Sequence, residues 1–222
     1  MTDFYVESNS FSSREFKIVP VGNHLARLYR IVDLGTQTSN WDGQTKIQRK
    51  VTFAWEIHGE DDDGSPLLTE EGKPMAIFKN YTYSWNEAAT LRKNLQAWRG
   101  EPWTDAEAKR FNLKNLLGQW CMLNVIHKKG KDDSGKMFAN VETISKVPPV
   151  IRKAGLPEGH NELQIFTLDN PDWAVFETFS KGLKAKIEAS PEYRALANTG
   201  ASGNGKKSLS SMDNDLDNDI PF

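Results

Sequence analysis

Residues 46–58 read KIQRKVTFAWEIH, which is the clearest period-two pattern in the chain. The large apolar members of this pattern all fall on odd positions: Ile47, Val51, Phe53, Trp55 and Ile57. Most of the intervening residues are polar, and several of them are basic. Because successive side chains of a strand point to opposite faces, the stretch predicts a half-buried strand with a polar, partly basic outer face.

Two further strands flank this one. Residues 24–34 carry apolar side chains on both parities: Ala26, Leu28, Val32 and Leu34 on one, and Leu25, Tyr29 and Ile31 on the other. They therefore predict a strand with both faces partly covered, joined to the next strand by a turn at 39–43. Residues 75–83, rich in β-branched and aromatic side chains, predict a third strand.

The period then changes to that of a helix. Residues 84–87 fit a capping box, and apolar residues recur at helical spacing until Gly100. Residues 104–107 repeat the capping signature and predict a second short helix. Two more strands are expected at 119–128 and 137–146, with a turn at 130–135 between them.

This order of three strands, a helical insert and two strands is that of the OB-fold, a partly open five-stranded barrel with its helix between strands three and four. We therefore expect a mainly β protein with an OB-fold core at 16–147. A C-terminal extension at 148–197 is expected to pack on this core, with a sixth strand at 163–168 and one amphipathic helix from Pro171 to about Ile187.

The segments outside these elements are polar. Residues 1–15 predict a flexible N-terminal arm, and the Gly-, Ser- and Lys-rich residues 198–212 predict a flexible linker. Residues 213–222 hold four aspartates and no base.

Charge is distributed unevenly along the chain. The formal net charge is −2, yet residues 1–212 contain 28 Lys and Arg against 26 Asp and Glu, a net charge of +2. Six of those acids lie in one loop at 60–71, and the remainder of residues 1–212 carries 28 Lys and Arg against 20 Asp and Glu, a net charge of +8. This separation is compatible with a basic groove and an acidic appendage, because local potential steers a polyanion.

Several function classes find no support in the sequence. The single cysteine, Cys121, excludes an intrachain disulfide and a cysteine-based zinc site, which favours a reducing cytosol. No apolar run approaches the ~20 residues of a membrane span, and the N-terminus lacks a signal-peptide pattern, so we expect a soluble cytoplasmic protein. The four histidines are scattered and no phosphate-binding loop is present. The acidic run 60–63 lies in a single turn-rich loop, which favours a solvated loop over a two-metal nuclease site. We expect no enzyme activity, metal or cofactor.

The segment 213–222 reads DNDLDNDIPF. An aromatic residue behind aspartates suits a partner with a small apolar pocket and a basic rim. The segment resembles the tips of bacterial and phage single-stranded DNA-binding proteins, which end in an acidic run followed by Ile-Pro-Phe. The resemblance implies recruitment of replication, repair or recombination proteins through Asp213, Asp215, Asp217, Asp219, Ile220, Pro221 and Phe222.

A second resemblance covers much of the core. Its motifs are Trp98-Arg99-Gly100, Phe111-Asn112-Leu113, Leu116-Leu117-Gly118, Leu123-Asn124-Val125 and the run from Lys136 to Val141. They are similar to those of phage-encoded OB-fold DNA-binding proteins. This resemblance implies sequence-tolerant binding of single-stranded DNA during phage replication or recombination, inside the bacterial host.

Such binding needs cations that neutralise phosphates and aromatic rings on which bases stack. In an OB-fold these groups project from strands two and three and from the flanking loops. The sequence candidates are Arg27, Tyr29, Trp41, Lys46, Arg49, Lys50, Lys79, Tyr81, Tyr83, Lys128, Lys129, Lys131, Lys136 and Phe138.

Three functions remain open at this stage. The first is a sequence-nonspecific binder that protects single-stranded DNA and recruits proteins through its acidic tip. The second is a recombination mediator or strand-annealing protein of a phage. The third is an OB-fold adaptor that binds only proteins. No membrane partner is expected, and the oligomeric state is left open.

Overall fold

The computed structural model describes residues 17–41, 43–130 and 135–198 of the chain, with only the backbone of Trp41. The predicted N-terminal arm, the linker beyond residue 198, the acidic tip and Lys131 lie outside these residues. The strands are β1 Gly22–Trp41, β2 Gln44–His58, β3 Ala76–Thr82, β4 Trp120–Lys129, β5 Met137–Ser145 and β6 Gln164–Phe166. The helices are α1 Thr90–Arg99, α2 Asp105–Arg110, α3 Pro149–Ala154, α4 Trp173–Glu177, α5 Lys181–Glu188 and α6 Pro191–Asn198, with a 3₁₀ turn at Leu113–Leu116.

The first five strands form an antiparallel sheet in the order β3-β2-β1-β4-β5, and β6 joins in parallel beside β1. The sheet is not closed into a barrel, because β3 and β5 form no ladder with each other in the described part of the chain. Instead Lys79 of β3 donates from Nζ to the carbonyl oxygen of Val141 of β5 at 2.8 Å. The protein is mixed α/β, whereas the sequence suggested a mainly β chain.

The period-two pattern of β2 is confirmed where the strand crosses the core. Val51, Phe53, Trp55 and Ile57 are all buried in the main hydrophobic cluster. The opposite face differs from the expectation of a solvated polar surface, because Thr52, Ala54 and Glu56 are buried as well.

A bulge in β1 reverses which side chains face the core. Leu28 pairs with Trp55 and Arg30 with Ala54, which leaves Tyr29 as an extra residue in the ladder. Leu28 therefore lies in the main core, while Val32, which has the same parity, packs with the C-terminal elements. Both faces of β1 are covered, but by different parts of the chain.

The helical insert begins later than its capping signal predicted. Asn86 Oδ1 accepts a hydrogen bond from the backbone of Ala88 at 3.0 Å, and this turn delays the start of α1 to Thr90. The predicted end at Gly100 is confirmed by its left-handed backbone, with φ of 83°. The second capping box, between Thr104 and Glu107, is also confirmed.

The C-terminal elements build a second hydrophobic cluster against the far half of β1. Phe166 of β6, Phe176 of α4 and Ile187 of α5 pack there against Val32 and Leu34. The prediction of one helix from Pro171 to about Ile187 is wrong, because the segment forms two separate helices, α4 and α5. Ser180 caps α5 by accepting from the backbone of Leu183, and Pro191 then opens α6, which the sequence did not predict.

Candidate nucleic-acid interface

One face of β2 and β3 carries an exposed ring among polar side chains. The ladder pairs Lys50 with Thr82, Thr52 with Asn80 and Ala54 with Phe78. Opposite residues of an antiparallel ladder share a face, so these side chains form one surface. We call it the outer strand face and define it as Gln48, Lys50, Phe78, Asn80 and Thr82. Phe78 is 52% exposed there.

The cation of the outer strand face is held in place. Lys50 donates from Nζ to Thr82 Oγ1 at 2.7 Å and to Gln48 Oε1 at 3.0 Å. Burial lowers the pKa of Lys50, and the nearby charge of Lys46 lowers it further. The two lysines repel each other here, and an anion between them would relieve that repulsion.

A second candidate surface lies on the β4–β5 hairpin. Lys128 and Phe138 are directly opposed in its ladder, and Lys129 is opposed to Met137. Phe138 is 51% exposed. Lys128 also contacts Glu142, with Nζ 3.2 Å from Oε2. Lys136, just before β5, is exposed as well. The hairpin thus places Lys128 beside the exposed ring of Phe138, while Lys129 and Met137 lie on its other face.

Tyr83 follows β3 directly and has the parity of Tyr81, opposite to that of the outer strand face. Its backbone N–H donates to the carbonyl oxygen of Arg49 at 2.9 Å, and 46% of the residue is exposed. Of the predicted stacking tyrosines, Tyr83 alone presents its ring to solvent.

Two predicted stacking residues belong to the core. Tyr81 is buried, and its hydroxyl oxygen accepts from Asn94 Nδ2 at 3.0 Å. Tyr29, the bulge residue of β1, is also buried. Burial raises the pKa of both phenols. Neither offers a ring face to a base, so the prediction of stacking on these two rings is wrong.

Arg27 is committed to a buried carboxylate. Its Nη1 lies 3.0 Å from Glu56 Oε1, and only 14% of its side chain is exposed. The backbone at Gly159 lies directly over the guanidinium, so that a Cβ there would be 1.7 Å from Nη1. This contact leaves Arg27 without access to a phosphate, contrary to its predicted role.

Glu56 anchors the loop that covers Arg27. It accepts from the backbone N–H of His160 at 3.0 Å and of Asn161 at 2.7 Å, and it also contacts His58. Burial alone would raise the pKa of Glu56, but the Asn161, His58 and Arg27 hydrogen bonds outweigh it and hold the pKa at about 2. The carboxylate is therefore charged in the folded protein, and it fixes the loop to the sheet.

Arg49 joins the sheet to the C-terminal elements. It donates to both oxygens of Asp33, at 3.2 and 2.5 Å, and to Asp169 at 3.1 Å. The hydrogen bond to Asp33 raises the pKa of Arg49. Because two carboxylates neutralise it, Arg49 acts as a structural cation and not as the predicted phosphate contact.

Lys79 points away from the outer strand face. It shares the core parity of Tyr81, lies over that ring at 5.5 Å, and contacts the β5 backbone. It therefore bridges two edge strands. Of the remaining candidates, Lys46 is exposed on the β1–β2 hairpin. The Trp41 side chain and Lys131 do not belong to the part of the chain that the structure describes.

Phe78 was missed by the sequence reasoning because that reasoning chose the wrong parity of β3. It assigned Lys79, Tyr81 and Tyr83 to the DNA side. The strand's own alternation contained the needed signal: Ile77 and Tyr81, which are core-forming types, share one parity and leave Phe78 on the other.

The acidic loop between β2 and β3 is a turn-forming structure. Asp61 Oδ1 accepts from the backbone of Ser65 at 2.9 Å and of Asp63 at 3.2 Å, and Asp61 pairs with Lys17. Among the described residues, no group of three or more His, Cys, Asp or Glu is placed to hold a metal ion. Within residues 17–41, 43–130 and 135–198, no helix is long and apolar enough to cross a bilayer.

The sequence matches no protein-family model, and no curated protein is significantly similar to it.

Proposed function

We propose that the protein binds single-stranded DNA without sequence preference, along the outer strand face and the β4–β5 hairpin. The observation that carries this proposal is the half-exposed ring of Phe78 on the same face as the hydrogen-bonded Lys50. Tyr83 and Phe138 add two more exposed rings on adjoining segments. Rings and cations of this kind are what a single strand requires, since stacking contributes about 1–3 kcal/mol per base.

We further propose that the core is an OB-fold. The strand order supports this assignment, because β1–β3 form a meander, β4 pairs with β1, and the helical insert lies between β3 and β4. The contact of Lys79 with Val141 brings the two edge strands together. Ligands of OB-folds bind on strands two and three and the flanking loops, which correspond here to the outer strand face and the two hairpins.

Charge placement supports a polyanionic ligand. The candidate surface carries Lys46 and Lys50 from β2 and Lys128 from the β4–β5 hairpin, and Lys129 and Lys136 lie near the turn of that hairpin. The six loop acids lie between β2 and β3, beyond the ends of the paired segment. Binding through such lysines releases counterions and weakens as salt rises.

The acidic segment 213–222 provides the partner-binding part of the proposal. Its aspartates and apolar end suit a basic rim around an apolar pocket on another protein. We propose that it recruits replication, repair or recombination proteins to the DNA-bound chain.

The direct test is a fluorescence titration with oligo-dT at two salt concentrations. Phe78→Ala should weaken binding by roughly 5- to 150-fold, the range that one stacked base implies. Leu68→Ala is the matched control, because Leu68 is also an exposed apolar residue but lies in the acidic loop. Absence of binding, or equal losses in the two variants, would refute the proposal.

The remaining functions are separated by two further measurements. Annealing of complementary strands faster than the protein-free rate would favour the mediator or annealing function. A chain that binds a partner protein but no oligonucleotide would be the protein-only adaptor.

Deletion of residues 213–222 should abolish partner recruitment and leave oligo-dT affinity unchanged or increased, because the aspartates compete with DNA for the same lysines. Weaker DNA binding after this deletion would contradict the role given to the tip.

A further inference from the structure

A concave surface lies where the chain leaves β5 and enters α3. It has a volume of about 470 Å³ and is lined by Lys146, Val147, Pro148, Pro149, Arg152 and Lys153. We call it the α3 pocket. Its walls are mainly hydrocarbon, from two proline rings and a valine, and its charged groups are all cations. The volume falls within the range of about 300–1,000 Å³ that is usual for ligand sites.

The apolar side chains of α3 lack cover from the rest of the described chain. None of the six residues of α3 is buried, and Val150 is 72% exposed. The apolar stripe of a surface helix ordinarily faces the core, and a helix this short gains little stability from its own hydrogen bonds. An exposed apolar surface of this kind suits a contact with another segment or molecule.

The cations of the α3 pocket are available for a ligand. Lys146, Arg152 and Lys153 are all exposed. None of the three forms an ion pair with a carboxylate within residues 17–41, 43–130 and 135–198. Residues 146–157 contain these three cations and no acid. The pocket therefore combines a positive rim with apolar walls, which suits an acidic peptide that also carries apolar side chains.

The acidic tip, residues 213–222, has the complementary chemistry. It carries four aspartates and no base, and its last three residues are Ile220, Pro221 and Phe222. Opposite charges attract the tip to the pocket and orient it there. Burial of the isoleucine and phenylalanine side chains against the proline rings then contributes apolar contact.

The tether between α6 and the acidic tip can reach the α3 pocket within one chain. Glu192, at the start of α6, accepts from the backbone of Thr36 in β1 at 2.9 Å. Ser145, at the end of β5, lies two strands from Leu25 of β1 through the β4 ladder. Strand spacing and rise then place the end of α6 within about 50 Å of the pocket. Residues 199–219 span up to about 70 Å when extended.

We propose that the α3 pocket is a docking site for an acidic peptide with apolar side chains, and that its occupant is the acidic tip of the same chain. Ile220 and Phe222 cover the apolar walls, and the aspartates lie against Lys146 and Arg152. The site is separate from the proposed DNA surface, because Lys146 follows Phe138 by eight residues, about 25 Å along β5.

Docking of the acidic tip would regulate recruitment, a consequence that rests on the proposed function. A partner protein has to displace the tip from the α3 pocket, so its apparent affinity falls by the fraction of tips that are docked. Only the undocked fraction is free to compete with DNA. A tether also raises the local concentration of the tip to roughly the millimolar range, so a weak peptide site is sufficient.

The test is fluorescence anisotropy of a labelled peptide with the sequence of residues 213–222. It is titrated with the full-length chain and with a chain that lacks these residues. The deletion removes no described element, because α6 ends at Asn198. The shortened chain should bind the peptide. The full-length chain should bind it at least about tenfold more weakly, because its own tip occupies the pocket.

Two changes test the two halves of the contact. Arg152→Glu in the shortened chain should weaken peptide binding about tenfold, because it replaces an attraction by a repulsion. Its oligo-dT affinity should stay within about twofold of the unchanged protein. A peptide with Ile220→Ala and Phe222→Ala should bind at least about tenfold more weakly, because two buried apolar side chains are lost.

Arg110→Glu is the matched control. Arg110, like Arg152, is an exposed arginine in the last turn of a six-residue helix, so the two changes alter net charge and the helix end in the same way. Equal losses of peptide binding in the two variants would overturn the α3 pocket. A shortened chain that does not bind the peptide would do the same, and so would displacement of the peptide by oligo-dT.

The remaining outcomes concern the occupant. Equal peptide affinity of the full-length and shortened chains would overturn the assignment of the chain's own tip. Light scattering that shows self-association of the full-length chain and none of the shortened chain would place the tip in a second copy, and would overturn docking within one chain. A protein that binds the peptide as expected but fails to bind oligo-dT would refute the proposed function alone.

Discussion

Replacement of Glu56 by glutamine tests the buried polar cluster that fixes the loop at 157–161 to the sheet. Glu56 is fully buried, and its carboxylate accepts hydrogen bonds from Arg27, His160 and Asn161. Its pKa falls from an ordinary 4.5 to about 2. That difference corresponds to about 3 kcal/mol of folding free energy. The loss of one partner from a buried ion pair gives a similar figure, about 3–5 kcal/mol.

We expect Glu56→Gln to lower the free energy of unfolding by about 3 kcal/mol at neutral pH, and the melting temperature by about 6–12 °C. Because the folded-state pKa is depressed, the contribution of Glu56 is complete above about pH 5 and is lost as pH falls from 4.5 towards 2. The difference between wild type and variant should therefore shrink in acid.

Urea denaturation followed by circular dichroism, at pH 7 and pH 3, measures this difference. Glu71→Gln is the control, since Glu71 pairs with Lys73 at the surface and its side chain is 73% exposed. That change should leave stability within error of the wild type. A Glu56→Gln variant within about 0.5 kcal/mol of the wild type at pH 7 would refute the assignment of a stabilising role to the buried carboxylate.

Two further predictions concern the core. Gly35→Ala should cost about 2–4 kcal/mol in urea denaturation, because φ is 67° and the new Cβ would lie 2.5 Å from Ser190 Cβ. Gly135→Ala, with the same φ and open space around it, should cost only about 1 kcal/mol, and equal costs would remove the packing argument. Cys121 is fully buried, and burial raises the pKa of its thiol well above the ordinary value. A thiol reagent should therefore label it only as fast as the protein unfolds, and rapid labelling of the native chain would place this thiol at the surface.

Local patterns located most of the strands. The alternation in β2 predicted that Val51, Phe53 and Trp55 face the core, because a strand buried on one side must place its apolar residues at every second position. The Thr104 capping box and the Gly100 helix end were also predictable, since both depend on hydrogen bonds within a few residues.

The direction of the candidate site residues was less predictable. A bulge at Tyr29 moved that ring into the core, and a sequence pattern contains no mark of one extra residue in a ladder. In the sequence, Arg27 and Arg49 look like surface cations. In the structure each is paired with a carboxylate of another strand, Arg27 with Glu56 and Arg49 with Asp33. Such partners are chosen by the fold.

The sequence by itself determined where the chain alternates, where its helices end, and how its charge is divided between the core and the segment 213–222. These properties follow from side-chain period, local hydrogen bonding and composition. The tertiary structure decided which face of β3 is exposed, which cations can still reach a phosphate, and how the base of the β1–β2 hairpin is held by α5 and α6. Phe78 and Lys50 share a surface because the β2–β3 register aligns them, and Arg27 leaves that surface because a loop more than a hundred residues away covers it. Register and long-range packing depend on contacts between distant segments, so no local pattern specifies them.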